Sequence, residues 1–341
     1  MPSISLRHRF LRSRLIAAVV TLAVTAPLAA CGGGNSGSAI TAGQNGLISI
    51  TVLRSNGAIF EPLYIAQEQG YFKQEGLNVT IKAGAQDTSQ NAPSIVNGEA
   101  QFAMTDSSGF LKGAAAGLPI RIVTGLVSAT TKTAPTDGLL VKSGSSITSF
   151  ADLQGKTVGL SALGGTIQFI CEYLVQKAGG DPSKVKFVAL PTTSLNDSVS
   201  TGKVDAVYSF GAFYAGGKSS GLRSIGNGMN DLPGITQGVL FASEQFLASN
   251  SATATKFAAA IAEAITYADA NPDAVRAIDK QYTKLSASYI ATAPVAYYNK
   301  EINTTVMRTV ITKMYEFGLL KNEPKDDVLY WSQAPITTTG D

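Results

Sequence analysis

At 341 residues, with 45% hydrophobic and 15% charged side chains, the chain can bury two ordinary domain cores and does not have a disordered composition. The formal charge of +3 owes its sign to Arg7, Arg9, Arg12 and Arg14 near the N-terminus. Without those four, the 27 basic residues fall one short of the 24 acids, so no basic patch argues for nucleic acid as a partner.

Residues 1–30 join that basic stretch to an apolar run, 15–26, and to Leu28-Ala29-Ala30 before Cys31, the pattern of a cleaved export signal. The run is too short for a membrane span, and no later stretch is long and apolar enough to be one. Leu-Ala-Ala-Cys followed by Gly32-Gly33-Gly34 resembles the bacterial lipobox, which implies that Cys31 becomes the lipidated first residue. Residues 31–46, with six glycines among Ser, Asn, Thr and Gln, read as a flexible tether. Such a chain has a reach of roughly 20 Å. The expected location is the outer face of the cytoplasmic membrane or the periplasm, with the membrane touched through the lipid alone. His8, the only histidine, goes with the signal. The mature chain then lacks the imidazole on which most serine, cysteine and zinc chemistry leans, and neither a metal nor a cofactor is expected. Cys171 is left without a disulfide partner.

Residues 50–84 read as strand, loop, helix, turn and strand. Ile50, Val52 and Leu53 open the first strand, the loop 55–58 turns into a helix with Pro62 in its first turn, and Gly70 stops that helix. Leu77, Val79 and Ile81 then alternate as a half-buried strand should. Strand, helix and strand in this order predict a parallel pair with a crossover. Next come a short helix over 91–97, a strand over 100–104, a helix over 110–116 and a strand over 120–126. After an irregular passage, 128–137, a strand over 138–142 leads into the turn 143–145. The plan then restarts with strand 157–160, loop 161–165, helix 166–178, strand 185–190, short helix 194–200 and strand 206–210. On the 166–178 helix Ile167, Ile170, Cys171, Leu174, Val175 and Ala178 share one face, which makes Cys171 a buried small hydrophobe.

The stretches 98–104 and 202–208 each follow a strand, a loop and a short helix, and each enters an apolar strand. Two lobes of like build are therefore expected. The fold class is α/β: two Rossmann-like lobes joined by a two-crossing hinge, with lobe 1 formed by 47–125 plus 243–341 and lobe 2 by 126–242. The strand over 238–242 is where the chain should leave lobe 2. Amphipathic helices around Phe257, Ile261 and Ile265, around Val275 and Ile278, and around Val306, Val310 and Met314 then return to lobe 1.

Ligands of open α/β sheets bind beyond the carboxyl ends of the strands, so two facing lobes should close a cleft there. The loops at those ends offer Ser55, Asn56, Phe60, Glu61, Gln86, Asp106, Ser107, Ser161, Gly164, Gly165, Thr166, Thr192, Phe210 and Phe213. Each also has a plainer reading: Ser, Thr and Asp cap helices, Gly serves the backbone, and the rings fill cores. Free N–H groups at Gly164-Gly165-Thr166 suit an anionic group, whereas Asp106 suits a ligand amine. Glu61, Asp87 and Asp106 lie near the cleft, and Arg54 is the only base in or beside these loops. That balance disfavours a highly charged anion and favours a neutral or amino-bearing heterocycle stacked on Phe60, Phe210 or Phe213. Gly217-Lys218-Ser219 is not a P-loop, because the first glycine of that motif would fall on Ala212.

Several stretches between residue 47 and about 270 resemble the type II periplasmic binding proteins of ABC importers, in the sulfonate, nitrate and thiamine-pyrimidine-precursor branch. The resemblance is carried by Pro62-Leu63-Tyr64-Ile65-Ala66, Gly70-Tyr71-Phe72-Lys73-Gln74-Glu75-Gly76-Leu77-Asn78-Val79, Ala116-Gly117-Leu118-Pro119-Ile120, and the runs 98–105 and 150–159. It implies a Venus-flytrap receptor, expected to be monomeric, that closes on a small molecule and delivers it to ABC permease subunits. The chain departs from the branch at 209–214, SFGAFY, where many members carry an aromatic-acid-proline or similar stretch. One branch member that makes the thiamine pyrimidine is an enzyme, a role that the histidine-free mature chain argues against.

Overall fold

The computed structural model describes residues 40–43, 45–55, 59–85 and 87–339, within one compact unit, Gly37–Asp341. The expected signal, the Cys31 lipid site, most of the tether, Asn56 and Gln86 lie outside the described residues. In chain order the first part runs β1 (Ile48–Arg54), α1 (Glu61–Glu68), α2 (Tyr71–Gln74), β2 (Leu77–Ala83), α3 (Asn91–Val96), β3 (Phe102–Asp106), α4 (Ser107–Ala115) and β4 (Ile120–Ser128). The second part is β5 (Asp137–Val141), β6 (Thr157–Leu160), α5 (Thr166–Lys177), β7 (Lys186–Ala189), α6 (Leu195–Ser200), β8 (Ala206–Phe210), α7 (Gly211–Ser219) and β9 (Arg223–Ile225). The chain then continues through β10 (Thr236–Ser243), α8 (Glu244–Ser249), α9 (Ser251–Ala270), α10 (Pro272–Tyr282), α11 (Ala287–Thr292), β11 (Ile302–Asn303), α12 (Thr304–Glu316) and β12 (Ile336–Thr337).

The two five-stranded sheets follow one plan. The first has the order β2-β1-β3-β10-β4 and the second β7-β6-β8-β5-β9. In each, three parallel strands are followed by one antiparallel strand that has just arrived from the other sheet, β10 in the first and β5 in the second. The stretches 98–104 and 202–208 therefore lead into equivalent third strands, and Gly98 and Gly202 close equivalent short helices at φ 77° and 79°. Sheet membership corrects one expected boundary: β10 belongs to the first sheet, so the chain has left lobe 2 before Thr236 rather than after 242. Gly238 and Ala242 read as strand in sequence, but nothing local reveals which sheet pairs with them.

Two apolar layers cover the first sheet. On one face Phe102 stacks on Phe257 at 3.9 Å, Phe257 on Phe72 at 5.6 Å, and Phe246 meets Phe102 edge-on at 5.3 Å. The α9 stripe Phe257, Ile261, Ala264, Ile265 and Ala268 is buried in this layer, as its spacing predicts. The other layer is continuous with the core of the second sheet and includes Val310, Ile311 and Met314 of α12. That helix does not return to lobe 1 alone, since it also packs on α5, with Phe317 and Phe169 6.5 Å apart. Cys171 is fully buried in this core, and desolvation pushes its thiol well above the ordinary range. Among the described residues the longest helix is α9, with 20 residues, and none is long and apolar enough to cross a membrane.

The outer edge of β4 is covered by two returning segments. Lys300 accepts from the Gly125 amide at 2.9 Å, Asn299 donates to Leu126 at 3.0 Å, and Leu329 and Trp331 bracket Ile122 at 2.8 and 3.0 Å. Gly125 has no side chain because a β-carbon there would lie 2.9 Å from the Asn299 carbonyl oxygen. Covering the edge removes a row of unpaired backbone groups from water and from other chains.

The two crossings, 129–136 and 226–235, are tied together by Asp137. Its carboxylate accepts the Tyr208 hydroxyl at 2.6 Å and the Met229 amide at 3.3 Å. Burial raises its pKa to about 6, against the hydrogen bonds from Tyr208 and Met229, which lower it. A carboxyl raised in this way binds its proton more tightly folded than unfolded. Its contribution to stability is complete below the unfolded pKa near 4 and is lost as pH rises through about 6, an effect of about 3 kcal/mol. The stability of wild type relative to Asp137→Asn, followed by urea unfolding from pH 4 to 7, should fall along that window. A flat difference would mean that Asp137 is better solvated than its burial indicates.

Candidate ligand-binding site

The carboxyl ends of β3 and β8 lead directly into α4 and α7, and those of β1 and β6 lead through loops into α1 and α5. The amino ends of α4 and α5, from different sheets, meet. Asp106, the residue before α4, accepts the Gly109 amide at 2.9 Å and the Ser108 hydroxyl at 2.6 Å, and it also accepts the Thr166 hydroxyl at 2.9 Å. It is thus both an N-cap and the lobe-1 half of a bridge to the first residue of α5. Beside it, Lys112 of α4 extends to the α5 loop, where a β-carbon on Gly164 would lie 3.0 Å from its Nζ. Lys112 is therefore a second base at these loops besides Arg54, missed because it lies within α4, well past the loop that ends at Asp106.

The remaining α5 loop is braced internally. The Gly164 amide donates to Gln168 Oε1 at 2.7 Å and Gln168 Nε2 donates to Glu172 Oε1 at 2.8 Å. Burial raises the Glu172 pKa to about 7, with the Gln168 bond acting against it. At the start of α7, a β-carbon on Gly211 would lie 3.6 Å from the Tyr289 hydroxyl of α11, so the C-terminal helices reach the loops of the second sheet.

Several predicted site residues have other work. Phe60 is fully buried, with the Arg54 guanidinium over its ring at 4.6 Å and Tyr64 edge-on at 5.6 Å, so it has no free face for a ligand. Ser107 is buried and donates to the Thr236 carbonyl, pinning β10 to α4. The Thr166 hydroxyl is spent on Asp106. Ser55 is half-buried, and its carbonyl accepts from Arg54 Nη1 at 2.6 Å. Ser161, Gly164, Gly165, Thr192 and Phe210 are half-buried at the ends of second-sheet strands, and Phe213 is 38% exposed in the first turn of α7.

Glu61 is the unusual member. It is buried at the start of α1, and its Oε1 accepts the Ile59 amide at 3.1 Å. Ile59 itself sits at φ 73°, a left-handed conformation that a β-branched residue adopts only under constraint. Facing Glu61 are Asp279 of α10 and Tyr298, neither of which sequence reasoning placed here. No sequence signal short of the fold brings residues so distant in the chain together. Two surface depressions, of about 520 and 500 Å³, lie elsewhere. The first, at Lys142, Gly202 and Asp205, is at the opposite end of the second sheet from α5 and α7.

The family model described as NMT1/THI5 like matches residues 58–275, more than half of the chain. The chain belongs to this family. No curated protein matches it. Among solved structures, the periplasmic aliphatic sulphonate binding protein SsuA from Escherichia coli superposes with a TM-score of 0.69 at 17% identity, over 83% of this chain and 92% of that one. The alkanesulfonate-binding protein SsuA from Xanthomonas axonopodis pv. citri, bound to MOPS, gives 0.66 at 16%, over 83% and 98%. The periplasmic nitrate-binding protein NrtA from Synechocystis PCC 6803 gives 0.61 at 13%, over 83% and 84%. At these identities the likeness is one of fold, and this NMT1/THI5-like protein has the type II periplasmic binding protein fold.

Proposed function

We propose that this protein is a solute receptor that captures a small molecule between its two lobes and delivers it to the permease of an ABC importer, without catalysis. The observation that carries the reading is the Asp106–Thr166 bridge, which joins the amino ends of α4 and α5 across the mouth formed by two sheets of one plan. A ligand entering there meets helix N-termini, Lys112, half-buried Phe210 and the acid of Asp106. The ligand is a neutral or amino-bearing heterocycle, such as a thiamine pyrimidine precursor. Cys31 carries a lipid that holds the monomeric receptor at the membrane, with 31–46 as its tether.

A second reading, a receptor for an aliphatic sulfonate, taurine or nitrate, draws support from the presence of Lys112 beside the α5 loop, since a cation next to a helix N-terminus suits an anion. An enzyme acting on a pyrimidine precursor is disfavoured because His8 is the only histidine.

Thermal denaturation of the full-length protein against pyrimidines, flavins, purines, sulfonates, taurine and nitrate tests these readings. One compound class should raise the melting temperature saturably, by about 3 kcal/mol of added stability at a hundredfold excess over Kd. A sulfonate or nitrate hit selects the second reading, and turnover of any hit compound removes the receptor reading.

A further inference from the structure

Glu61 and Asp279 pose a charge problem that the fold leaves open. Their carboxyls face each other within hydrogen-bonding range, from α1 and α10. Glu61 Oε2 and Asp279 Oδ1 are both buried and have no hydrogen-bond partner. Among the described residues no cation is paired with either acid. Arg276, the nearest base on α10, sends Nε and Nη2 to the carbonyls of Ile290 and Ala293 at 3.1 and 3.3 Å and Nη1 to Asp273 at 3.7 Å. Arg54 gives Nε to Tyr64 and Nη1 to Ser55, at 3.0 and 2.6 Å. Two facing carboxyls in a dry site cannot both stay ionised without a proton or a cation between them.

The two acids are buried to different depths. Glu61 lies behind, while Asp279 is half-buried beside half-buried Tyr289, which stands opposite Gly211 of the second lobe. We propose that Glu61 and Asp279 form a subsite for a cationic N–H group of the ligand, an ammonium or amidinium, whose donors replace the shared proton. The proposal deepens the receptor reading and rests on it. It names what the cleft selects, a protonated nitrogen directed at the α1–α10 wall while the rest of the ligand faces α4, α5 and α7.

The groups around the pair agree. Burial and the Asp279 charge hold the Glu61 carboxyl far above the usual carboxylate range, with the Tyr298 hydroxyl acting in the other direction. Asp279 is raised by burial as well, against its bond with Glu61 and the Arg276 charge. Burial raises the Tyr298 phenol well above its ordinary value and raises that of Tyr289 too, so neither is an anion that would repel a ligand. The empty site therefore holds a proton at neutral pH, and a cationic group must expel it. Affinity for a permanently charged ligand should rise with pH across the neutral range until the pair is ionised without help.

Carboxyl carbon NMR of the full-length protein, labelled on glutamate side chains, tests this without knowing the natural ligand. Glu61→Gln and Glu172→Gln identify the two glutamate signals that titrate abnormally, and if the first variant fails to fold the second identifies Glu61 by elimination. The probes are methylammonium and guanidinium, with tetramethylammonium, which has no N–H, as control. The expected result is a downward displacement of the Glu61 titration by about one pH unit in either N–H cation, no displacement in the control, and no displacement in Asp279→Asn. An unmoved titration in both N–H cations, or an equal shift in tetramethylammonium, overturns the subsite. Either failure leaves the receptor reading to the compound panel, while a clear cation effect alongside a panel hit that is a sulfonate or nitrate separates the two in the opposite sense.

Discussion

Gly228→Ala should cost the protein about 3 kcal/mol or more, among the largest effects of any single methyl group in the chain. Gly228 sits at φ 61° in the second crossing, and a β-carbon there would lie 2.4 Å from Asp137 Oδ1, 2.6 Å from the Asp137 carbonyl oxygen and 2.8 Å from its carbonyl carbon. A flexible side chain could swing away, but backbone at the start of β5 cannot without disturbing the first crossing. Gly179→Ala is the matched control: φ is 85° there, and nothing lies within 4 Å of the added carbon. It should show the left-handed strain alone, about 1 kcal/mol. Urea unfolding of both variants separates strain from collision, and equal losses would mean that the two crossings are not held against each other at this point.

Asp106→Ala should cost about 2–3 kcal/mol and also weaken ligand binding, because one carboxylate caps α4 and bridges the lobes. Thr166→Val removes only the bridge, since the threonine hydroxyl donates to Asp106 and α4 keeps its cap. Its unfolding free energy should change by about 1 kcal/mol or less. In the double variant the two losses should fail to add by about 1 kcal/mol, as expected for directly bonded partners. Additive losses would place Asp106 in the role of a cap alone and remove the bridge between α4 and α5 as a stabilising contact. Ligand affinity of Thr166→Val, measured with whichever compound the panel identifies, then reports what the bridge contributes to the closed form.

What could be read from sequence follows the range of each interaction. The strands 157–160 and 206–210 match β6 and β8 because short apolar runs bounded by polar residues or glycine are local signals. The α9 face was legible from spacing for the same reason. By contrast, α7 was not anticipated. Its sequence, GAFYAGGKS, has three glycines and weak helix propensity, and it is held by packing of Tyr214 and Gly217 on β5 and α6. A Gly217 β-carbon would lie 2.5 Å from Leu140 and about as close as a hydrogen bond to Asn196, so the glycine reflects close approach and not flexibility. Phe60 shows the limit for site residues. Position at a strand end made it a candidate, but only the Arg54 and Tyr64 contacts, made in three dimensions, reveal that its ring is occupied. The Glu61–Asp279 meeting is the extreme case, since its two halves belong to helices that the chain reaches at opposite ends of its length.

The exchange of antiparallel strands also fixes an order of assembly. The second sheet is complete once the chain has been made to Ile225, from one unbroken run of sequence beginning at Asp137. The first sheet is not, because β10 lies between β3 and β4 and follows the whole of the second lobe. During synthesis, β3 and β4 wait with facing edges unpaired until Thr236–Ser243 arrives. The lobe that begins first is the one that must finish last.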